Sequence, residues 1–306
     1  MTSTSDAKEV LQNQVALVTG GGRGIGRAVA QALASAGARV AVLARSEDEL
    51  NETVRLIATS GGTARAYTAD VTRRDQIEAA VRQMEEALGP VDVLVNNAGD
   101  VKPFGPLWET DPDEWWRSLE INLRGPLLCT RAVLPGMIAR RRGRIINVSS
   151  RAGTMAAPYY SSYVSSKTAL IRFTECCALE AKPHGVAAFA ISPGTVRTAM
   201  ANYSLESAEG KKWLPWFSQI IEQHIDVPAE RPAQLVLALA SGKFDALTGR
   251  MVSVFDDLDL LLNNAAEIEQ RSLYSLKMET LPDAEANPAL AAVLDAARRA
   301  AEVPKK

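Results

Sequence analysis

The stretch VALVTGGGRGIG, Val15 to Gly26, decides the fold. A short β-forming apolar run enters a glycine cluster, and the chain leaves it with Ile25, Val29, Leu33 and Ala36 on one side of a helix. Strand, glycine loop and helix in that order make the opening of a parallel βαβ unit. Glycines permit positive φ and let backbone N–H groups approach an anion at a helix N-terminus, where the helix dipole also favours negative charge. The loop therefore reads as a dinucleotide-binding turn. Its spacing departs from the common G-x-G-x-x-G, because Gly20, Gly24 and Gly26 read T-G-x-x-x-G-x-G.

Working outward, the same rhythm repeats. Apolar runs RVAVLA from 39, DVLVN from 92, RIINVS from 144, VAAFAIS from 186 and MVSVF from 251 alternate with helical patterns, and a weaker strand, ARAYTAD, starts at 64. With the opening run this predicts a Rossmann-like, doubly wound α/β sheet of about seven parallel strands with helices on both faces. Helix starts are marked by a capping box from Ser46 to Glu49 and by Asp111 before Pro112. No linker-like break occurs between 15 and 255. The expected organisation is a disordered 1–13, one catalytic domain over 14–255 and a helical extension over 256–306. Within the domain, 199–227 is an insertion after the sixth strand.

A chain of 306 residues with 47% hydrophobic and 23% charged residues has ordinary globular composition and length for a large core. A net charge of -2 gives no basic excess for nucleic acid. No run approaches the ~20 apolar residues of a membrane span, and the polar N-terminus has no apolar core segment, so a cytoplasmic protein is expected. Cys129, Cys176 and Cys177 lack C-x-x-C spacing and read as packing residues; His184 and His224 stand far apart. Neither a metal site nor a Ser-His triad is expected.

Chemistry enters with PYYSSYVSSK, residues 158 to 167. Residues four apart share a helix face, and of Tyr159, Tyr160 and Tyr163 only Tyr163 has a lysine one turn on, Lys167. A phenol titrates near pH ~10, and a close ammonium would lower that value and ready it for proton transfer.

The glycine spacing, Asn96-Asn97-Ala98-Gly99 after the fourth strand, Ser150, and Tyr163 with Lys167 together resemble the short-chain dehydrogenase/reductase family over roughly residues 14 to 255. The resemblance implies an NAD(P)(H)-dependent oxidoreductase that interconverts a secondary alcohol and a carbonyl group. It assigns Tyr163 as acid, Ser150, thirteen residues earlier, as its oxyanion partner, and Lys167 as ligand of the nicotinamide ribose; adjacent Ser149 reads as a strand-end cap. The family's fourth site residue is matched by Asn122. Pro126 lacks the N–H that would bond the Asn122 carbonyl, so that carbonyl is expected to hold a water in a proton relay from Lys167.

The cofactor cradle implied by the resemblance comprises Gly20, Gly22, Arg23, Gly24, Ile25 and Gly26, then Asp70 and Val71 at the adenine, Asn97, Ala98 and Gly99 along the middle, and Pro193, Gly194, Val196 and Thr198 at the nicotinamide amide. NAD binders of this type end the second strand with an acid, whereas this strand ends Leu43-Ala44-Arg45-Ser46. Arg45 and Arg23 would meet a 2′-phosphate by charge-assisted bonds, which favours NADP(H) over NAD(H).

Tyr203, Trp213, Leu214, Trp216 and Phe217 cluster in the insertion and read either as a lid over a bulky hydrophobic substrate or as a patch buried by another subunit or by the tail. Arg151, Tyr159 and Tyr160 lie near the same site in sequence. A homodimer or homotetramer is implied, formed through the helices at 112–139 and 161–182, with the tail clasping a neighbour or blocking a contact. Two other readings stand beside the redox one: an epimerase, dehydratase or cyclase-like enzyme on the same fold, and a nucleotide-sensing scaffold.

Overall fold

A computed structural model of the chain describes residues 10–278. The expectations for 1–9 and for 279–306 lie outside the described residues. The elements run β1 (Val15–Thr19), α1 (Gly24–Ser35), β2 (Arg39–Ala44), α2 (Glu47–Thr59), β3 (Thr63–Thr68), α3 (Arg74–Leu88), β4 (Val93–Asn96), α4 (Pro112–Leu119), α5 (Gly125–Arg140), β5 (Gly143–Val148), α6 (Ser161–Ala181) and β6 (Val186–Ser192). Then come α7 (Ala199–Glu206), α8 (Ala208–Trp213), α9 (Phe217–Glu222), α10 (Glu230–Ala240), β7 (Met251–Ser253), α11 (Leu258–Asn263) and α12 (Ala265–Gln270). All neighbouring strands are parallel, in the order β3-β2-β1-β4-β5-β6-β7.

The central strands are buried along their whole length, as in β1 and β6, because helices cover both faces and no position may be polar for solvent's sake. β3, an edge strand, has no fully buried position, which explains its weak sequence signal. One core layer joins Val29 and Leu33 of α1, Ile57 of α2 and Val236 and Leu239 of α10 to Val18, Ile146 and Phe189 of the sheet. The opposite layer joins Ile77 and Met84 of α3, Val133 and Met137 of α5 and Cys177 of α6 to Leu17, Leu94 and Ile145. Burial pushes the Cys129 thiol up to about 12 and Cys177 to about 11, which keeps both inert and fits their reading as packing residues.

Ordered chain begins earlier than the disordered 1–13 expected from sequence. Leu11 is fully buried and its N–H donates to Ala36 O at 2.9 Å, so residues 10–13 form a turn closed by an apolar anchor in an otherwise polar segment. At the other end, α11 and α12 turn the chain back over the short edge strand β7. Met251 N–H donates to Tyr274 O at 2.9 Å, and Leu276 N–H donates to Glu175 Oε1 of α6 at 2.7 Å. Lys182 pairs with Glu269 at 2.6 Å. The extension therefore covers the free edge of its own sheet.

Strand order reverses at β1 and β4, and the crevice outside their C-terminal ends is where ligands of open α/β sheets bind. The glycine loop, the β4 loop, the start of α6 and the loop after β6 all open onto it.

Candidate active site

A cavity of about 830 Å³ occupies that crevice. Gly20, Gly22, Arg23, Gly24, Ile25, Gly26, Arg45, Ser46, Asp70, Val71, Asn97, Ala98, Gly99, Tyr163, Lys167, Pro193 and Thr198 all line it, so residues scattered over the chain come to one wall. Gly20 and Gly24 hold positive φ of 64° and 54°. A Cβ on Gly26 would lie 2.2 Å from Gly20 O, so only glycine lets α1 meet the loop this closely. The first turn of α1 has no side-chain cap and no acid. Its N–H groups are thus left for an anion, and the cradle fits the pyrophosphate of a dinucleotide. Asn97 braces the loop: its Nδ2 donates to Thr19 O at 2.9 Å, while Thr19 Oγ1 accepts from Asn97 and Ala98 N–H at 3.0 and 3.1 Å.

At the outer end the structure adds a residue that sequence reading had assigned to a helix cap. Ser46 Oγ accepts from Glu49 N–H as a cap should, but the Glu49 carboxylate turns into the cavity and pairs with Arg23 at 3.0 Å. Arg45 has no ion pair among the described residues. Asp70 Oδ1 accepts from Thr72 N–H and Oγ1–H at 2.9 and 2.8 Å, and its Oδ2 lies 3.6 Å from Arg117. Burial pushes its pKa up, yet the Thr72 bonds and the Arg117 and Arg45 charges outweigh that and leave it below the usual range. Much of Asp70 is therefore spent on turn geometry.

Ser150 follows β5 and caps a 3₁₀ turn by accepting from Ala152 N–H at 3.1 Å; its hydroxyl lies near enough to the Tyr163 phenol to draw the phenol's pKa down. Tyr163 stacks on Tyr160, ring centroids 4.8 Å apart. Lys167, one turn on, is buried and donates to Val148 O at 2.9 Å, with Nζ 5.5 Å from the Tyr163 ring centroid. Burial lowers the Lys167 pKa to about 8. Sequence reading expected this ammonium to lower the Tyr163 pKa. Instead burial raises it, and the Ser150 hydroxyl recovers only part of the shift, because Lys167 directs its proton to a carbonyl rather than the phenol. Ser149, read as a strand cap, donates to Lys167 O at 3.0 Å and so fixes the lysine's helix.

Asn122 lies in a π-turn, Glu120–Arg124, between α4 and α5, where the chain widens before Pro126. It is fully buried behind the cavity wall. Its Oδ1 accepts from Asp100 N–H at 2.9 Å, and its Nδ2 donates to Asp100 O, Ser118 Oγ and Ser166 Oγ at 2.7, 3.1 and 3.0 Å. The side chain thus clamps the β4 loop to α6, a role invisible in sequence because Asp100 and Ser166 are 22 and 44 residues away. A Cβ on Gly99 would lie 3.1 Å from Asn122 Oδ1 and 3.7 Å from Lys167 Nζ. Gly194, at φ 70°, and Val196 pack away from the cavity, Gly194 against Val227 and Val254 and Val196 into the core.

At the inner end Asp100, Val101, Lys102, Met200, Asn202 and Tyr203 complete the lining, and sequence reading had singled out only Tyr203 among them. The insertion folds as α7, α8 and α9 over this end. Phe104, Tyr160 and Leu214 form its small core with Tyr203, Trp213 and Phe217; the Tyr159 ring packs tilted against Trp213, centroids 4.8 Å apart. Among the described residues the aromatic cluster packs against the loops of the active site. Trp216 remains 41% exposed.

Known proteins agree with this architecture. Residues 14–209 match the family model described as short chain dehydrogenase. A short chain dehydrogenase of Pseudocercospora fijiensis is 40% identical over 261 residues, 83% of this chain and 84% of that protein. A 3-oxoacyl-[acyl-carrier-protein] reductase of Synechocystis is 39% identical over 191 residues, 62% of this chain and 77% of its own. The crystal structure of a putative gluconate dehydrogenase from Agrobacterium tumefaciens superposes with a TM-score of 0.73 at 28% identity, covering 81% of this chain and 96% of that one. The chain belongs to the short-chain dehydrogenase/reductase family and is an oxidoreductase; the family works with NAD(P)(H). Among the described residues no group of His, Cys, Asp and Glu is arranged to hold a metal, and no helix is long and apolar enough to cross a membrane.

Proposed function

We propose that this enzyme interconverts a secondary alcohol and a carbonyl compound of bulky, hydrophobic character, with NADP(H) preferred over NAD(H). The observation that carries this reading is that Tyr163 and Lys167 line the same cavity as the glycine loop. When bound, the nicotinamide supplies or accepts the hydride. Tyr163 gives its Oη proton to the substrate oxygen in reduction and takes it back in oxidation. Its raised pKa keeps that proton in place at neutral pH. Ser150 donates to the same oxygen as charge builds there. Lys167 then favours the phenolate left behind and binds the ribose hydroxyls, which draws it from Val148 O toward the cavity. Asn122 holds the β4 loop in register, and its main-chain carbonyl, denied an N–H partner at Pro126, would hold a water through which protons pass between Lys167 and solvent. Arg45 meets the 2′-phosphate of NADP(H). A competent enzyme carrying Tyr163→Phe loses turnover by roughly 100-fold or more, with dinucleotide binding retained by fluorescence titration. Turnover equal to wild type would refute the assignment, and carbonyl conversion without stoichiometric NADPH loss would favour an epimerase or dehydratase.

We further propose a homo-oligomer through the α4–α6 face, on which Trp116, Leu127 and Leu179 are 59%, 44% and 47% exposed. A monomer by light scattering would contradict this.

A further inference from the structure

We propose that Lys102 selects substrates whose hydrophobic, ring-bearing frame carries a carboxylate, an inference that rests on the assignment of the inner cavity to substrate. The cavity holds five cations, Arg23, Arg45, Lys102, Lys167 and Arg197. Arg23 is paired with Glu49, and Arg197 with Asp226 at 2.7 Å. Lys167 is buried and bonded to Val148 O. Arg45 stands at the adenosine end. Lys102 is the cation of the inner end, and among the described residues no carboxylate lies within 4.0 Å of it.

Its position is fixed by main chain rather than by charge. Asn122 grips Asp100 on both its N–H and its C=O, and Asp100 Oδ1 accepts from Val101 N–H at 2.7 Å and from Lys102 N–H at 3.3 Å. Lys102 O in turn accepts from Ser162 Oγ at 3.4 Å, which ties it to the residue before Tyr163. The ammonium rests 4.1 Å from the centroid of the Tyr203 ring in the lid. Two carboxylates stand near, and both are engaged elsewhere: Asp100 Oδ1 on the loop's own N–H groups, Glu209 Oε2 on the Tyr203 hydroxyl at 2.5 Å. The cation–π contact takes up no N–H of the ammonium, and Lys102 is exposed, so its protons are open to water or to an incoming anion. Val101, Met200 and Tyr203 line the same end of the cavity, an apolar wall suited to a ring-bearing substrate, and Phe104 and Tyr160 pack behind it. A ring ketone with an anionic oxygen on its rim would place its carbonyl at Tyr163 and its carboxylate at Lys102, adding an ion pair that a neutral analogue cannot make.

The test uses matched pairs, 4-acetylbenzoate with 4-acetylbenzamide and 6-acetyl-2-naphthoate with its amide, on the full chain with saturating NADP(H). Both kcat/KM by NADPH loss and Kd by calorimetry with NADP⁺ are read. The wild type favours the acids by roughly tenfold or more. Lys102→Gln removes most of that ratio, and Lys102→Arg restores it. Equal Kd for acid and amide in the wild type overturns the proposal, whether or not either is reduced. So does a ratio that survives Lys102→Gln, including the case where that variant raises only the cofactor KM. Selective binding of the acids without any turnover supports Lys102 while refuting the redox assignment of the site.

Discussion

Replacing Lys167 by methionine should change the pH dependence of stability in a way the buried ammonium dictates. Lys167 is 4% exposed, and burial brings its pKa from 10.5 to about 8. A lysine whose folded pKa is depressed binds fewer protons when folded, so its cost to stability is full below pH 8 and fades as pH rises toward 10.5. With these two values, moving from pH 7 to pH 9.5 recovers about 2 kcal/mol of wild-type stability that the variant cannot show. The absolute gap at one pH mixes this with the loss of a donor to Val148 O, worth about 1–3 kcal/mol in the other direction. The difference between the pH values is free of that offset. Urea unfolding of both proteins without dinucleotide, at pH 7, 8, 9 and 9.5, gives the comparison. A wild-type minus variant difference that stays constant within about 0.5 kcal/mol would show that Lys167 is not held as a desolvated ammonium.

Three further outcomes are expected. Glu49→Gln frees Arg23 and removes a negative charge from the outer cavity, so the KM for NADPH falls several-fold while that for NADH hardly moves, as steady-state kinetics would show; an unchanged ratio of the two would remove Glu49 from cofactor choice. Asn122→Ala strips the acceptor from Asp100 N–H and the donor from Asp100 O inside a buried network. It should cost about 2–4 kcal/mol in urea and slow turnover with an altered pH profile, and full activity with an unaltered profile would end the relay idea. Deleting residues 257–306 uncovers β7 and strips the Leu276 contacts from α6, so the melting temperature drops by several degrees and light scattering reports larger species; an unchanged melting curve would mean the cover is energetically idle.

The fold was legible because its evidence is local. Strand, glycine loop and helix stand together at Val15–Ser35, and seven apolar runs give the rhythm of a parallel sheet. Tyr163 and Lys167 share a helix turn, so their proximity follows from spacing alone. What sequence hid are the pairings made across the chain. Glu49 looks like a cap partner until Arg23, 26 residues away, draws its carboxylate into the cavity. The direction of the Tyr163 shift depends on burial and on where Lys167 donates, neither of which a four-residue spacing records. Lys102 carries no motif, and its place beside Tyr163 arises only through Asn122 and Ser162. Leu11, with Val10 beside it, stands in an otherwise polar stretch, too little signal for an anchor.

The strap over β7 also sets a timetable for synthesis. Glu175 and its partner at Leu276 are 101 residues apart, which at about 5–20 residues per second of translation is some 5–20 seconds. For that interval the Glu175 end of α6 has no cover, and Met251 of β7, 23 residues ahead of Tyr274, waits about 1–5 seconds, so this seam closes last among the described residues and is a place where a ribosome-bound chaperone would find the chain unfinished.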